Sequence, residues 1–430
     1  MNRFDPRECI FYHIYPIGFC GAPRQNTNEP AVNRIKKLEK WIPHIKNLGI
    51  NALYLGPVFE SGFHGYDTHD FNLIDSRLGT NADFIRFCKA LEANGISLIL
   101  DGVFNHVGRG FFAVQDVLKN REASPYCSWI SGHRFNRNNK YNDNLRYDCW
   151  AGHEMLVKLN LKSPDVKEYL LSAVDKWIED FNISGLRLDA ADCIDRDFFK
   201  ELRSRTKAKK PDFWLMGEIT DSDDYRVWMN NEMLDSITNY ECYKWFFSCV
   251  NSKSMAEFAR CMNRQFGPEG IYKDHTLYTF VDNHDVNRIV SMIDTKENLK
   301  NLYTLMYTMP GTPAVYYGSE WAMEGKKTRG NDNPLRPEID VENPPVTNKE
   351  LMEHLKKLAT LRQNSHALKY GSYKEVLILD ETYAFARISE KETKLIFINI
   401  SPQEKTIQTE FCGKHLEVSL PPYSSEITDF

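Results

Sequence analysis

The feature that most constrains this chain is a rhythm. Strand-like apolar runs recur along it, each followed by a helical pattern, which is the signature of βα units laid on a parallel sheet. Residues 9–15 form the first run, ended by Pro16 and Gly18. Over residues 33–48 the apolar side chains Ile35, Leu38, Ile42 and Ile45 then fall at helical spacing, and Gly49 closes the helix. The pattern repeats as strand 50–55, helix 81–93 with its own closing Gly95, and strand 96–103. Further strands are expected at 185–189, 213–218, 234–238, 276–281 and 313–317. Helices are expected at 164–181, 195–205, 254–266, 296–309 and 349–363, with a short one near 223–230. Eight strands is the number at which a parallel βα sheet closes on itself, so the expected fold class is α/β, a (β/α)8 TIM barrel.

Two stretches break the rhythm. Residues 108–161 are rich in Asn, Arg, Tyr and Gly without a clean period, and a stretch of that length inside a compact domain is a functional insertion or a small subdomain. It is read as an insertion subdomain after the third strand. Beyond residue 370 the pattern turns to alternating runs such as 375–379, 383–388, 395–400 and 416–420, split by turn residues with no helix between them. The expected division is therefore a barrel of residues 1–107 and 162–369, an insertion subdomain of residues 108–161, and an antiparallel, β-sandwich-like C-terminal domain of residues 370–430.

Composition narrows the partners. The formal charge of −5 offers no footprint for a polyanion, so nucleic acid is not an expected partner. No run approaches the roughly 18 apolar residues that span a bilayer, so no membrane association is expected. The charged N-terminus carries no signal-peptide apolar segment, and a cytoplasmic location is the expectation. Ten cysteines are scattered without a Cys-x-x-Cys pair or metal-ligand spacing, which reads as reduced thiols and no metal site. An aromatic content of 13% suits stacking on the apolar faces of sugar rings, although large cores use aromatics too.

In a barrel of this kind the site is built at the C-terminal ends of the strands. Strand three ends in Asp101-Gly-Val-Phe-Asn105-His106, strand four in Arg187-Leu-Asp189, strand five in Met216-Gly-Glu218, and strand seven in Phe280-Val-Asp-Asn-His284-Asp285. Arg187 and Asp189, two apart on a strand, share a face, which reads either as a structural ion pair or as a carboxylate held ionised for attack. Carboxylates converging at one rim favour the second reading, because desolvated like charges repel and persist where chemistry needs them. One ionised and one protonated carboxyl across a scissile bond is the machinery of glycoside hydrolysis. Asp189, held ionised by Arg187, is then the nucleophile. Glu218, with less cation beside it, keeps a raised pKa and serves as acid and then base. Asp285 is left to stabilise the cationic transition state, and His106 and His284 donate to sugar hydroxyls.

These segments resemble the four ordered motifs of the α-amylase family, glycoside hydrolases with a retaining mechanism. Asp-Gly-Val-Phe-Asn-His is similar to the first motif, Gly-Leu-Arg-Leu-Asp to the second, Gly-Glu-Ile to the third and Phe-Val-Asp-Asn-His-Asp to the fourth. The resemblance covers about residues 11–370 and implies further roles. Tyr66, in Phe63-His-Gly-Tyr-Asp67, matches a tyrosine that stacks under the sugar being cleaved. Asp332 and Arg336, in the loop after strand eight, match contacts to a glucose further toward the non-reducing end. Asp101 matches an aspartate that props up Arg187, and Asn105 matches a position that ligates calcium in calcium-bearing members and is a buried hydrogen-bonding residue in others.

The chain departs from the family pattern at Asp192-Cys193, where calcium-dependent endo-acting members carry Lys-His, so a calcium site is not supported and no organic cofactor is implied. The segment Leu156-Val-Lys-Leu-Asn160 is similar to the Met-Pro-Lys-Leu-Asn of the neopullulanase, cyclomaltodextrinase and maltogenic amylase group; that group's extra N-terminal domain is not expected here, where the first strand-like run begins at residue 9. Ala190 follows the nucleophile where α-1,6-acting members tend to carry valine. The expected activity is hydrolysis of α-1,4-glucosidic bonds in maltodextrins, with an α-glucan oligosaccharide as the partner. A transglycosylase, an α-1,6-acting member and a catalytically inactive binding barrel stand as the alternatives.

Overall fold

A computed structural model describes residues 3–27, 29–220 and 225–430. Eight parallel strands form one sheet: β1 (Phe11–Ile14), β2 (Ala52–Leu55), β3 (Ser97–Gly102), β4 (Gly185–Leu188), β5 (Trp214–Gly217), β6 (Ser236–Ile237), β7 (Tyr278–Phe280) and β8 (Thr312–Tyr316). They pair in the order β6-β5-β4-β3-β2-β1-β8-β7. A parallel bridge between Thr238 and Tyr278 joins the two ends, so the sheet closes into the (β/α)8 barrel.

Local chemistry sets the helices between the strands. Asn81–Ala93 begins with a capping box in which Thr80 and Asp83 each satisfy the other's backbone N–H. Gly49 (φ +73°) and Gly95 (φ +67°) take the left-handed turns that end the first two helices. Pro164–Phe181 opens with proline in its first turn and ends on a left-handed Asn182.

Besides the short Pro16–Phe19 and His366–Tyr370, two longer helices lie where the sequence pattern shows none. Tyr240–Asn251 is rich in aromatic and cysteine side chains of low helix propensity, and tertiary packing of Cys242, Phe246, Cys249 and Val250 overrides that. Phe112–Asn120 sits inside the insertion, too short for its apolar residues to show a period. The helix expected near 223–230 begins in residues that lie outside the described ones; its described part holds a 3-10 turn, Tyr225–Val227.

The insertion leaves and rejoins the barrel through one antiparallel pairing, His106–Gly108 with Leu156–Lys158. At the C-terminus six antiparallel strands complete the chain: β9 (Ser372–Leu379), β10 (Thr382–Ile388), β11 (Thr393–Asn399), β12 (Lys405–Phe411), β13 (Lys414–Leu420) and β14 (Ser424–Asp429). They make a four-stranded sheet, β9-β10-β11-β14, and a two-stranded one, β12-β13. Ala384, Ala386, Leu395, Phe397, Ile407, Phe411 and Leu420 form the apolar layer of this unit. Buried Arg387 ties β10 to the barrel by donating to the Thr308 carbonyl at 2.5 Å. Among the described residues no helix is long and apolar enough to cross a membrane.

Alternation along the strands sorts the core into two. Tyr12, Ile14, Leu53, Leu55, Leu98, Leu100, Leu186, Leu188 and Leu215 face the helices in the large outer core. Their neighbours Phe11, Ala52, Tyr54, Ile99, Trp214, Met216, Tyr278, Phe280 and Ala314 make a second cluster inside the barrel. Gly185 belongs to that inner face, where a Cβ would run into the Trp214 carbonyl oxygen.

Candidate active site

Following the inner face upward two residues at a time leads from core to site. On β3, Ile99 is succeeded by Asp101; on β4, Gly185 by Arg187 and then Asp189; on β5, Trp214 and Met216 by Glu218. Asp101 and Arg187 stand in register across β3 and β4. The same period of two that hides the apolar residues below thus brings the carboxyls to the mouth.

Arg187 is the hub. Its Nη1 donates to Asp101 Oδ1 at 2.8 Å and to Asp189 Oδ1 at 2.9 Å. Its Nη2 lies 2.6 Å from Glu218 Oε1. This corrects the expectation that Glu218 has less cation beside it than Asp189. Because β4 lies between β3 and β5, the guanidinium reaches carboxyls on both sides and is shared among three. Tyr54 and Tyr66 hydroxyls, at 2.8 and 3.2 Å, hold the far oxygen of Asp101.

The electrostatics follow from that sharing. Burial works against charge on Arg187, yet Asp101 and Glu218 keep its guanidinium well above the usual range. Burial pushes the Asp189 carboxyl well above the ordinary carboxylate range; Arg187 opposes this, while the charges of Glu218, Asp101 and Asp285 reinforce it. Arg187 therefore favours the ionised Asp189 as expected, but as a cation shared with Asp101 and Glu218 rather than as a private partner. Asp285 goes the other way: enclosure disfavours its charge, but His284, Arg336 and Arg187 hold it well below the usual range.

Asp285 is gripped from the opposite wall. Arg336 donates from Nη2 to Asp285 Oδ1 at 2.8 Å and from Nε to the His284 carbonyl at 3.0 Å. Arg336 thus serves the third carboxyl directly, with Asp332 further out at 3.4 Å, itself paired to Lys327 at 3.1 Å. His284 Nε2 faces Asp285 Oδ2 at 3.0 Å and also meets the Tyr66 hydroxyl. The Tyr66 and His284 rings lie nearly parallel, 9° apart, with centroids at 5.6 Å.

His106 lies 3.9 Å from Asp189 Oδ2, and burial holds its ring neutral, down to about 3. Its Nε2 is buried without a hydrogen-bond partner, a polar atom turned toward whatever enters beside Asp189. Asn105 donates to His106 Nδ1 at 3.2 Å, and its carbonyl accepts the Leu159 N–H at 3.1 Å, so this residue serves the histidine and the returning strand. Asn105 Oδ1 is itself unpartnered, but no group of three His, Cys, Asp or Glu able to hold a metal surrounds it or any other point among the described residues.

All of this opens into a cleft of about 1100 Å³ that Tyr66, His106, Asp189, Glu218, Asp285, Asp332 and Arg336 line together. Sequence reasoning passed over other lining residues: Tyr15, His64, Trp150 and Tyr240. Tyr240 was within reach, since the strand-end rule applied to β6 selects Thr238-Asn239-Tyr240. Trp150 had no such signal, because it lies in the irregular part of the insertion, 5.7 Å from the His106 ring.

Residues 14–336 match the family described as the α-amylase catalytic domain. The chain is 32% identical to a cyclomaltodextrinase of Geobacillus thermopakistaniensis, over 97% of this chain and 76% of that protein. Among solved structures it resembles the cyclic α-maltosyl-(1→6)-maltose hydrolase of Arthrobacter globiformis in complex with maltose, with a TM-score of 0.87 and 26% identity over 99% of both chains. It also resembles a debranching enzyme of Nostoc punctiforme, with a TM-score of 0.84 and 26% identity over the whole of both chains.

Proposed function

Because the chain belongs to the α-amylase family of glycoside hydrolases, we propose that it cleaves α-1,4-glucosidic bonds in maltodextrins with retention, through a glycosyl intermediate on Asp189. The observation that carries this reading is the placement of Asp189 and Glu218 on the two terminal nitrogens of one guanidinium, facing a cleft with Asp285 across from them. A carboxylate oxygen of Asp189 bonds to the anomeric carbon as the glycosidic C–O bond breaks, and Glu218 gives its proton to the departing oxygen. Glu218 then takes a proton from water as the water oxygen attacks the anomeric carbon and frees Asp189.

The other residues fit supporting parts. Asp285, kept ionised by His284 and Arg336, places negative charge where the sugar ring becomes cationic. The unpartnered Nε2 of His106 suits a hydroxyl of the sugar at Asp189, and Tyr66 gives that sugar an aromatic face. Asp332, outside Arg336, suits the next glucose. No organic cofactor enters this scheme.

Asp189→Ala and Glu218→Gln are each expected to abolish release of reducing sugar from maltotriose, a loss on the order of 10⁴-fold or more, with the fold kept. Near wild-type turnover in either variant would sink the assignment. A second reading, action at α-1,6 bonds, is favoured by the name of one similar solved structure, a debranching enzyme. Products from maltotriose, pullulan and cyclodextrin, chromatographed side by side, separate the two linkages. Early appearance of longer oligosaccharides at high maltose would mark transglycosylation instead.

A further inference from the structure

Glu218 is held by more than its arginine. Tyr240, the first residue of the helix Tyr240–Asn251, reaches Glu218 Oε1 with its hydroxyl at 3.2 Å. The position of that hydroxyl is set from three directions. Asn239 caps the helix by accepting the Cys242 N–H at 3.0 Å, which fixes where residue 240 starts. The Tyr240 ring stands edge-on to Phe280, centroids 5.0 Å apart. Asn283 Nδ2 donates to the tyrosine oxygen at 3.0 Å.

The direction of these bonds is decided at Asn283. Its Oδ1 accepts the backbone N–H groups of Asp285 at 2.8 Å and Val286 at 3.2 Å, so its amide nitrogen is the group turned to Tyr240. With its oxygen accepting from Asn283, the Tyr240 hydroxyl directs its own hydrogen at Glu218. A continuous chain of hydrogen bonds therefore links Glu218, through Tyr240 and Asn283, to the turn that carries Asp285.

We propose that Tyr240 is a positioning residue for the acid and base step: its hydroxyl aims Glu218 into the cleft and couples it to the Asp285 turn. This rests on the reading of Glu218 as the acid and base. Among the described residues the groups bonded to the Glu218 carboxyl are Arg187 and the Ala190 N–H from the β4 end and Tyr240 from the helix after β6, with Asp189 and Asp285 lining the same cleft. Tyr240 is the one neutral side-chain donor in that set. A donor to a carboxylate favours its ionised form, so removing the hydroxyl makes the acid harder to deprotonate and moves the alkaline limb of kcat/KM to higher pH.

The test compares wild type, Tyr240→Phe and Tyr240→Leu on maltotriose and on a nitrophenyl maltoside, whose leaving group needs little proton assistance. Both variants are expected to raise the alkaline limb by about half a unit to one unit. Both should lose about tenfold in kcat on maltotriose and clearly less in the release of nitrophenol. Tyr243→Phe, on the same helix but packed on Phe280 away from Glu218, keeps the wild-type profile. An unmoved limb, or equal losses on both substrates, overturns the role of Tyr240. An active Glu218→Gln would instead bring down the assignment of Glu218 itself, so the two failures are told apart.

Discussion

The inside of this barrel changes character within two residues. On β5, Trp214 and Met216 are buried among Phe11, Ile99, Tyr278 and Phe280, whereas Glu218, next on the same face, meets Arg187 and Tyr240. The lower half is an apolar plug whose contacts reward burial; the upper half crowds Asp101, Asp189, Glu218 and Asp285 around two guanidiniums. The two halves divide stability from chemistry. Apolar packing below supplies the rigidity against which like charges above are held at a cost.

The sharpest test of that contrast is Asp189→Asn. It is expected to lower turnover on maltotriose by on the order of 10⁴-fold while leaving the urea midpoint unchanged or raised, since it relieves a desolvated charge among like charges. A large drop in stability would make the Arg187 pair structural instead and erase the contrast. One layer down, Phe11→Ala should do the reverse, costing about 3–5 kcal/mol of stability by opening a cavity while kcat per folded molecule stays within a few-fold. Denaturation and active-site titration, measured together, read both quantities.

A smaller effect follows from His106. Folding keeps its ring neutral down to about 3, whereas an unfolded chain protonates histidine near pH 6.5. The unfolded state therefore binds the proton first, and stability drains as pH falls from about 6.5 toward 3. Between pH 7 and 4.5 this one ring accounts for about 2–3 kcal/mol. His106→Gln should flatten the acid side of a stability-versus-pH curve by about that amount; an unchanged slope would show that the ring titrates normally. The smallest effect is expected from metal removal: turnover after dialysis against a strong chelator should match that of the untreated enzyme, and a loss restored by calcium would reverse the reading of Asn105.

Much of the barrel was legible because it is periodic. The spacing of Ile35, Leu38, Ile42 and Ile45, with Gly49 behind them, marked a helix that the structure places at Ile35–Asn47. Strand ends marked Asp101, Arg187, Asp189, Glu218 and Asp285, and the cleft gathers the last three of the carboxyls among these. What escaped was aperiodic or dictated from a distance. Tyr240–Asn251 is helical against its local propensities because its buried face packs on the barrel. Arg336, in a loop far along the chain, was assigned to an outer sugar, and its contact with Asp285 comes from the way the loop after β8 folds back over β7.

Which side chains arrive at the rim follows from local pattern, since the order of strands and a period of two assign residues to faces without knowledge of the whole. How the charge is shared depends on the closed barrel. Asp101, Arg187, Glu218 and Asp285 are scattered over the chain, and desolvation and Coulomb energy depend on burial and on ångström distances that exist once β3, β4, β5 and β7 are closed into a ring. That closure turned Arg187 from the private partner of Asp189 into the shared cation of three carboxyls, and set Tyr240 against the one that moves the proton.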